Sequence, residues 1–306
     1  MPASQYQVLP LPARALPLSH MLLALAVVAV WGTNFVVIRA GLDHLPPLLF
    51  ATLRFAFAFL PAALFLKRPA VPVWHLAAFG LLIGAGQFGL LYSAISGHIT
   101  PGLASLVIQT QVFFTILLSM WFTGERVQPP QLLALVVAAA GIVVIAVFTD
   151  GSSTLLGLAM TLGAAASWSG GNVVAARGGK VNMLAYVVWA SAFAVPPLFL
   201  MSLALEGWPA IQAGVTEASA GTWAAVLWQS VGNTMFGYGV WSWLLARHPA
   251  SLVAPTALLV PVFGIGASVM LLGEGLPVWK IAAGALVISG LAINMLAPRL
   301  IRAVRP

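Results

Sequence analysis

The chain has 306 residues, of which 61% are hydrophobic and only 6% charged, against about 25% charged in an average soluble domain. So few ionic groups cannot wet that much apolar surface, so the composition excludes a soluble fold and points to an all-α integral membrane protein. The net charge of +7 then reads as lysine and arginine in loops rather than as a nucleic-acid surface, and the lack of cysteine excludes disulfides, thiol catalysis and cysteine-ligated metals.

Residues 1–19, with Pro10, Pro12, Arg14 and Pro17, read as a short irregular tail. The apolar run from Met21 continues past Trp31 to Ile38, too long for the core of a signal peptide, and reads as an uncleaved first span. A bilayer core of about 30 Å takes roughly 20 apolar residues per helix. Ten spans fit near 20–40, 47–67, 74–96, 101–122, 130–148, 156–176, 183–204, 222–246, 251–272 and 278–298. Pro46-Pro47, Pro69 with Pro72, Thr100-Pro101, Pro129-Pro130 and His248-Pro249 punctuate short connections. Only the stretch from Gly207 to Gly221 is long enough to hold structure of its own. With the N-terminus inside, that side collects Arg14, Lys67, Arg68, Arg126, Arg177, Lys180, Arg247, Arg299, Arg302 and Arg305, against Arg39 and Lys280 outside. Both termini are therefore expected in the cytoplasm.

The chain repeats itself. Gly86-Gln87, Tyr92 and Ala104-Ser105-Leu106-Val107 return as Gly232-Asn233, Tyr238 and Ala250-Ser251-Leu252-Val253, each about 146 residues on. Trp31, Asn34 and Arg39 in the first span are similarly matched by Trp168, Asn172 and Arg177 in the sixth, and Gly124-Glu125 by Gly273-Glu274. An odd number of spans per half makes the second copy enter from the opposite side. The expected architecture is ten transmembrane helices as two inverted five-helix repeats, 20–148 and 149–306, the second ending in a cytoplasmic tail.

Trp31-Gly32-Thr33-Asn34-Phe35, Leu53-Arg54-Phe55, Gly102-Leu103-Ala104-Ser105-Leu106, Gly124-Glu125-Arg126, Pro261 and Gly273-Glu274 occur in that order. In this they resemble the EamA branch of the drug/metabolite transporter superfamily, over nearly the whole chain. The run from Gly102 to Gln109, continued by Gln111, Phe113, Phe114, Thr115 and Ile116, is most similar to bacterial exporters of amino-acid metabolites such as cysteine and O-acetylserine. The resemblance implies an inner-membrane exporter with a central cavity, lined by the first, third, fourth, sixth, eighth and ninth helices, with the fifth and tenth outside. The branch often carries a proline ahead of the Gly-Glu pair in both halves. Here Val112 stands opposite Pro261, which predicts a straighter fourth helix than ninth.

Amides within apolar spans need partners. Asn34, Gln87, Gln109, Gln111, Asn172, Gln229 and Asn233 form this set. They serve either as interhelical hydrogen bonds, typically about 0.6 kcal/mol each, or as neutral dipoles for the ammonium and carboxylate of a small zwitterion. Their convergence from both halves favours a cavity. Gln109 and Gln111 lie roughly 200° apart on a helix, whereas Gln111 and Thr115 share a face. Gln111 and Thr115 are therefore assigned to the cavity and Gln109 to packing. Trp31 and Trp168, in mid-span, form either a substrate-facing wall or packed core. Tyr92 and Tyr238 either cap the cavity or belong to the interfacial aromatic belt. Arg54 is a full charge about 10 Å inside the second span. It binds exposed carbonyls, pairs with Asp43, or draws a substrate carboxylate. Glu125 and Glu274, at span ends, either cap neighbouring helices or mark gates.

No Asp or Glu lies in the middle of a span, so zwitterions suit the interior better than cationic drugs. The expected function is alternating-access export of small amino acids and their metabolites, with membrane lipid and a zwitterionic substrate as partners and no cofactor, metal or nucleic acid. Efflux of drugs or other metabolites by the same fold is one alternative, and a non-transporting sensor or scaffold another. An enzyme would need a nucleophile with its base, paired carboxylates or a metal cluster. The chain has no His-Glu-x-x-His or Gly-x-Ser-Gly, and its five histidines are scattered near span ends.

Overall fold

A computed structural model describes residues 16–123, 128–148, 153–179 and 181–304. They form ten long helices, at Leu18–Gly41, Pro47–Leu64, Val73–Ile95, 101–123, Pro129–Val147, Leu155–Arg177, Met183–Leu205, 220–247, 250–272 and Val278–Val304. These are numbered first to tenth below. Eight of the ten are long and apolar enough to cross a membrane. The sixth and eighth are as long but carry more serine, glycine and amide.

Local chemistry sets the ends. Proline occupies the first turn of the second, fourth and fifth helices, where its missing N–H costs nothing. Thr154, Asn182 and Ser219 cap the sixth, seventh and eighth through side-chain oxygens. The second helix stops earlier than expected: its α-helical part closes at Phe59, and Pro61 leaves one 3₁₀ turn, Ala62–Leu64, before the chain leaves the bundle. The long seventh connection holds a short helix, Trp208–Glu217.

The repeat reappears as matched irregularity. The third helix runs in π geometry over Leu82–Gly89 and the eighth over Trp228–Phe236. The fourth tightens to 3₁₀ over Ile108–Thr110 and the ninth over Ala254–Leu259. Both pairs keep the offset of about 146 residues seen in the repeated motifs. The fourth helix carries the same irregularity as the ninth over three residues instead of six.

Packing respects the same exchange of halves. The first helix lies on the eighth and ninth, and the sixth on the third and fourth; the second packs on the seventh and the fifth on the tenth. In the last pair, glycine lets backbones meet reciprocally. A Cβ at Gly141 would stand 3.0 Å from the Ala283 carbonyl, and one at Gly290 would stand 2.7 Å from that of Ala134. Gly290→Leu is expected to cost about 1–3 kcal/mol by overpacking, read as a lower melting temperature in detergent. Gly266→Ala, with open space around its Cβ, is expected to melt with the parent.

Candidate substrate site

The π-helical stretches bring the repeated amides to the interface between the halves. Gln87 sits in the first, Gln229 and Asn233 in the second, and all three are buried. Each π turn takes in an extra residue, a distortion that recurs at functional sites. The Thr234 hydroxyl donates to the Gln229 carbonyl five residues back, 3.0 Å away. Trp31 Nε1 donates to the Asn233 carbonyl at 3.2 Å. Gly237 makes that approach possible, since a Cβ there would lie 2.3 Å from the indole nitrogen. The Trp31 ring packs on Tyr238 and Trp241, at centroid distances of 5.8 and 5.2 Å. Asn34 is buried one turn further along the first helix.

Some of these amide atoms lack a partner. Asn34 Oδ1, Gln87 Oε1 and both amide atoms of Gln229 are buried without a hydrogen-bond partner. Gln229 is 0% exposed. A buried dipole left unpartnered opposes folding.

Arg54 lies beside them, 1% exposed. Its Nη2 donates to Thr234 Oγ1 at 2.9 Å and its Nη1 to the Tyr92 hydroxyl at 3.4 Å. The guanidinium carbon stands 3.7 Å from the Phe88 ring centroid and 4.9 Å from that of Phe55, a cation–π arrangement. Nε has no partner. Two roles expected for Arg54 do not hold. Its hydrogen bonds run to hydroxyls rather than carbonyls, and Asp43 is paired 2.7 Å from Arg39 instead. Tyr92 is fully buried, against Arg54 and Phe50.

A second polar group joins the fourth and sixth helices. Asn172 Nδ2 donates to Gln111 Oε1 at 3.1 Å, and the Thr115 and Ser169 hydroxyls meet at 2.9 Å. Gln111, Thr115, Trp168 and Asn172 are half-buried, and Gln109 is buried. No motif in the sequence singles out Ser169 or Thr234. Their only signal was position, beside Trp168 and one residue past the repeated Gly232-Asn233 pair.

The helix ends carry the acids. Glu274 Oε2 accepts from the Gly102 backbone N–H at 3.0 Å, and Oε1 from the Thr100 hydroxyl and, at 3.2 Å, from Lys280 Nζ. It caps the fourth helix. Glu125 lies outside the described residues. Arg39, Asp43, Thr100, Glu274 and Lys280 line a cleft of about 600 Å³ at this end. Glu206 caps the second helix by accepting from Leu48 N and Leu49 N at 2.6 and 3.1 Å. At the opposite end His20 Nδ1 and His248 Nε2 approach to 2.6 Å and tie the first helix to the end of the eighth.

The EamA-like transporter family matches this chain twice, over residues 18–147 and 155–296. A protein of Salmonella typhimurium named "Probable amino-acid metabolite efflux pump" is 40% identical over 92% of this chain and 97% of its own length. One of Escherichia coli with the same name is 37% identical over the same shares. A "Probable terminal-alkyne amino-acid exporter" of Streptantibioticus cattleyicolor is 27% identical over 87% of this chain and 90% of its own. A solved crystal structure superposes with a TM-score of 0.59 at 20% identity, covering 92% of this chain and 98% of that one, and is similar in fold alone. With both halves matched and relatives this close along nearly its full length, the chain is a multi-pass membrane protein and belongs to the EamA-like transporter family.

Proposed function

We propose that the chain exports small amino acids and amino-acid metabolites across the bacterial inner membrane. Ten spans form two inverted five-helix repeats, divided near residue 148, with both termini in the cytoplasm. The halves rock about the seam between them so that the site opens to one side at a time, and no chemical step is catalysed. The observation that carries this reading is the pair of π-helical stretches, Leu82–Gly89 and Trp228–Phe236, which place buried, unpartnered amides from both halves at that seam. Such groups are costly in a membrane interior and mark a substrate path. The names of the Salmonella, Escherichia and Streptantibioticus relatives support the amino-acid assignment. The exchange-symmetric packing of helices supports the doubled unit.

Counterflow in liposomes tests the export reading: purified protein should move labelled cysteine, O-acetylserine, threonine or methionine against unlabelled competitor. Failure with all of these and with aromatic amino acids would remove the amino-acid claim. Orientation is tested separately. Because the chain has no cysteine, single cysteines placed at Lys67 and at Pro277 should label from opposite faces of intact cells, Lys67 from within.

A further inference from the structure

Every described carboxylate in the chain is accounted for away from Arg54. Asp43 pairs with Arg39, Glu206 caps the second helix, Glu274 holds Lys280 and the fourth helix, and Glu217 is exposed on the short helix. Among the described residues Arg54 therefore has no counter-charge, although it is 1% exposed and sits in the second helix between the two π-helical stretches. Breaking a buried ion pair leaves a charge that costs several kcal/mol; here the protein has built that state in. Two hydroxyls and two aromatic faces hold the cation in place without neutralising it.

We propose that Arg54 is the receptor for the carboxylate of the exported compound. The inference rests on the export reading above and names the chemistry that its site selects. The unpartnered Nε and the adjacent Nη2 form one edge of the guanidinium fork, the edge that a carboxylate engages with two parallel hydrogen bonds. Nη2 is spent only on Thr234 Oγ1, a neutral hydroxyl that an anion displaces. Thr234 in turn donates to the carbonyl of Gln229, whose side-chain amide is buried with both atoms free. Gln229, one π turn before Thr234, supplies an unpartnered amide oxygen that can accept from an ammonium group. That arrangement selects a free amino acid over an amine or an amino-acid amide. The protein loses the cost of the lone guanidinium when the substrate arrives.

Competition in the wild-type counterflow assay tests this without any variant. For whichever amino acid is moved, its carboxamide and its decarboxylated amine should compete at least tenfold more weakly than the free acid. The free acid, and not the carboxamide, should also raise the melting temperature of the detergent-solubilised protein. Arg54→Lys should retain measurable export and still prefer the acid. Arg54→Gln should lose export at least tenfold, and whatever activity remains should no longer tell acid from amide. Equal competition by acid, amide and amine on the wild type would overturn the assignment while leaving export standing. Failure of every amino acid to move would instead bring down the export reading, and the assignment with it.

Discussion

Gln229→Leu is expected to fold as well as the parent, or better, and to export at least tenfold more slowly; Gln87→Leu should behave in the same direction. The reasoning starts from what these side chains fail to do. Gln229 is completely buried and neither amide atom has a partner; Gln87 is buried with its oxygen unpartnered. A buried donor or acceptor left unmade costs about 1–3 kcal/mol, and an apolar side chain of similar shape in its place is close to neutral or stabilising. Leucine therefore removes an opposing term. If stability were the selected property, these two positions would already be apolar like the helices around them. The measurement is a pair of curves for each variant, thermal melting in detergent and counterflow in liposomes, with folded yield read from a monodisperse peak. Variants that melt at the parental temperature and transport at the parental rate would make the duplicated amides relics of the repeat. Variants that melt much lower would mean that the amides find partners which hold the bundle together. Only the split between stability and transport fits a site. Asn233 is the weaker choice for this test, because its backbone carbonyl is tied to Trp31 whatever its side chain.

The same residues show what a reader of the sequence can and cannot obtain. Helix positions were legible because runs of apolar residues match the bilayer thickness and prolines mark the breaks. The second helix was one exception, since Pro61 sits inside an apolar run and hydropathy does not register the missing N–H; the tenth was another, running on to Val304 past the end of its apolar stretch. The internal repeat showed where the two halves would behave alike, and both the π and the 3₁₀ segments fall at matched positions. It could not show that the likeness would take the form of altered helical register, because Leu82–Gly89 and Trp228–Phe236 share few residues. Partners were the least legible. Arg54 was recognisable as a costly charge, but its ligands Tyr92 and Thr234 lie 38 and 180 residues away. Glu206 reaches the second helix across a separation of 158. No periodicity encodes a contact of that kind; it follows from which helices pack together. The choice of Gln111 over Gln109, by contrast, could be argued from the geometry of one helix without knowing what it packs against.

Glu274→Ala is expected to lower stability by about 3–5 kcal/mol, the usual cost of removing one partner from a buried ion pair. The two side chains are 9% and 5% exposed for Glu274 and Lys280, so solvent screens the pair little. The carboxylate does two jobs at once. It neutralises Lys280, and it satisfies the Thr100 hydroxyl and the Gly102 N–H at the start of the fourth helix, where negative charge is also favoured by the helix dipole. Glu274→Gln separates these roles, keeping an oxygen for the cap and abandoning the lysine, and should fall between the parent and Glu274→Ala. Adding Lys280→Met to Glu274→Gln removes the orphaned cation and should recover most of the loss. Strictly additive effects of the two changes would mean that the pair is not coupled. Transport by the double variant then decides what the contact is for. Thr100 and Gly102 belong to the first half and Glu274 to the second, so the bond joins the fourth and ninth helices across the cleft they share with Arg39. As a cap, it moves with those helices as one body, and the repaired double variant should export at close to the parental rate. A double variant that is stable but inert would mean instead that this charge pair must break and re-form in each cycle, making it a gate.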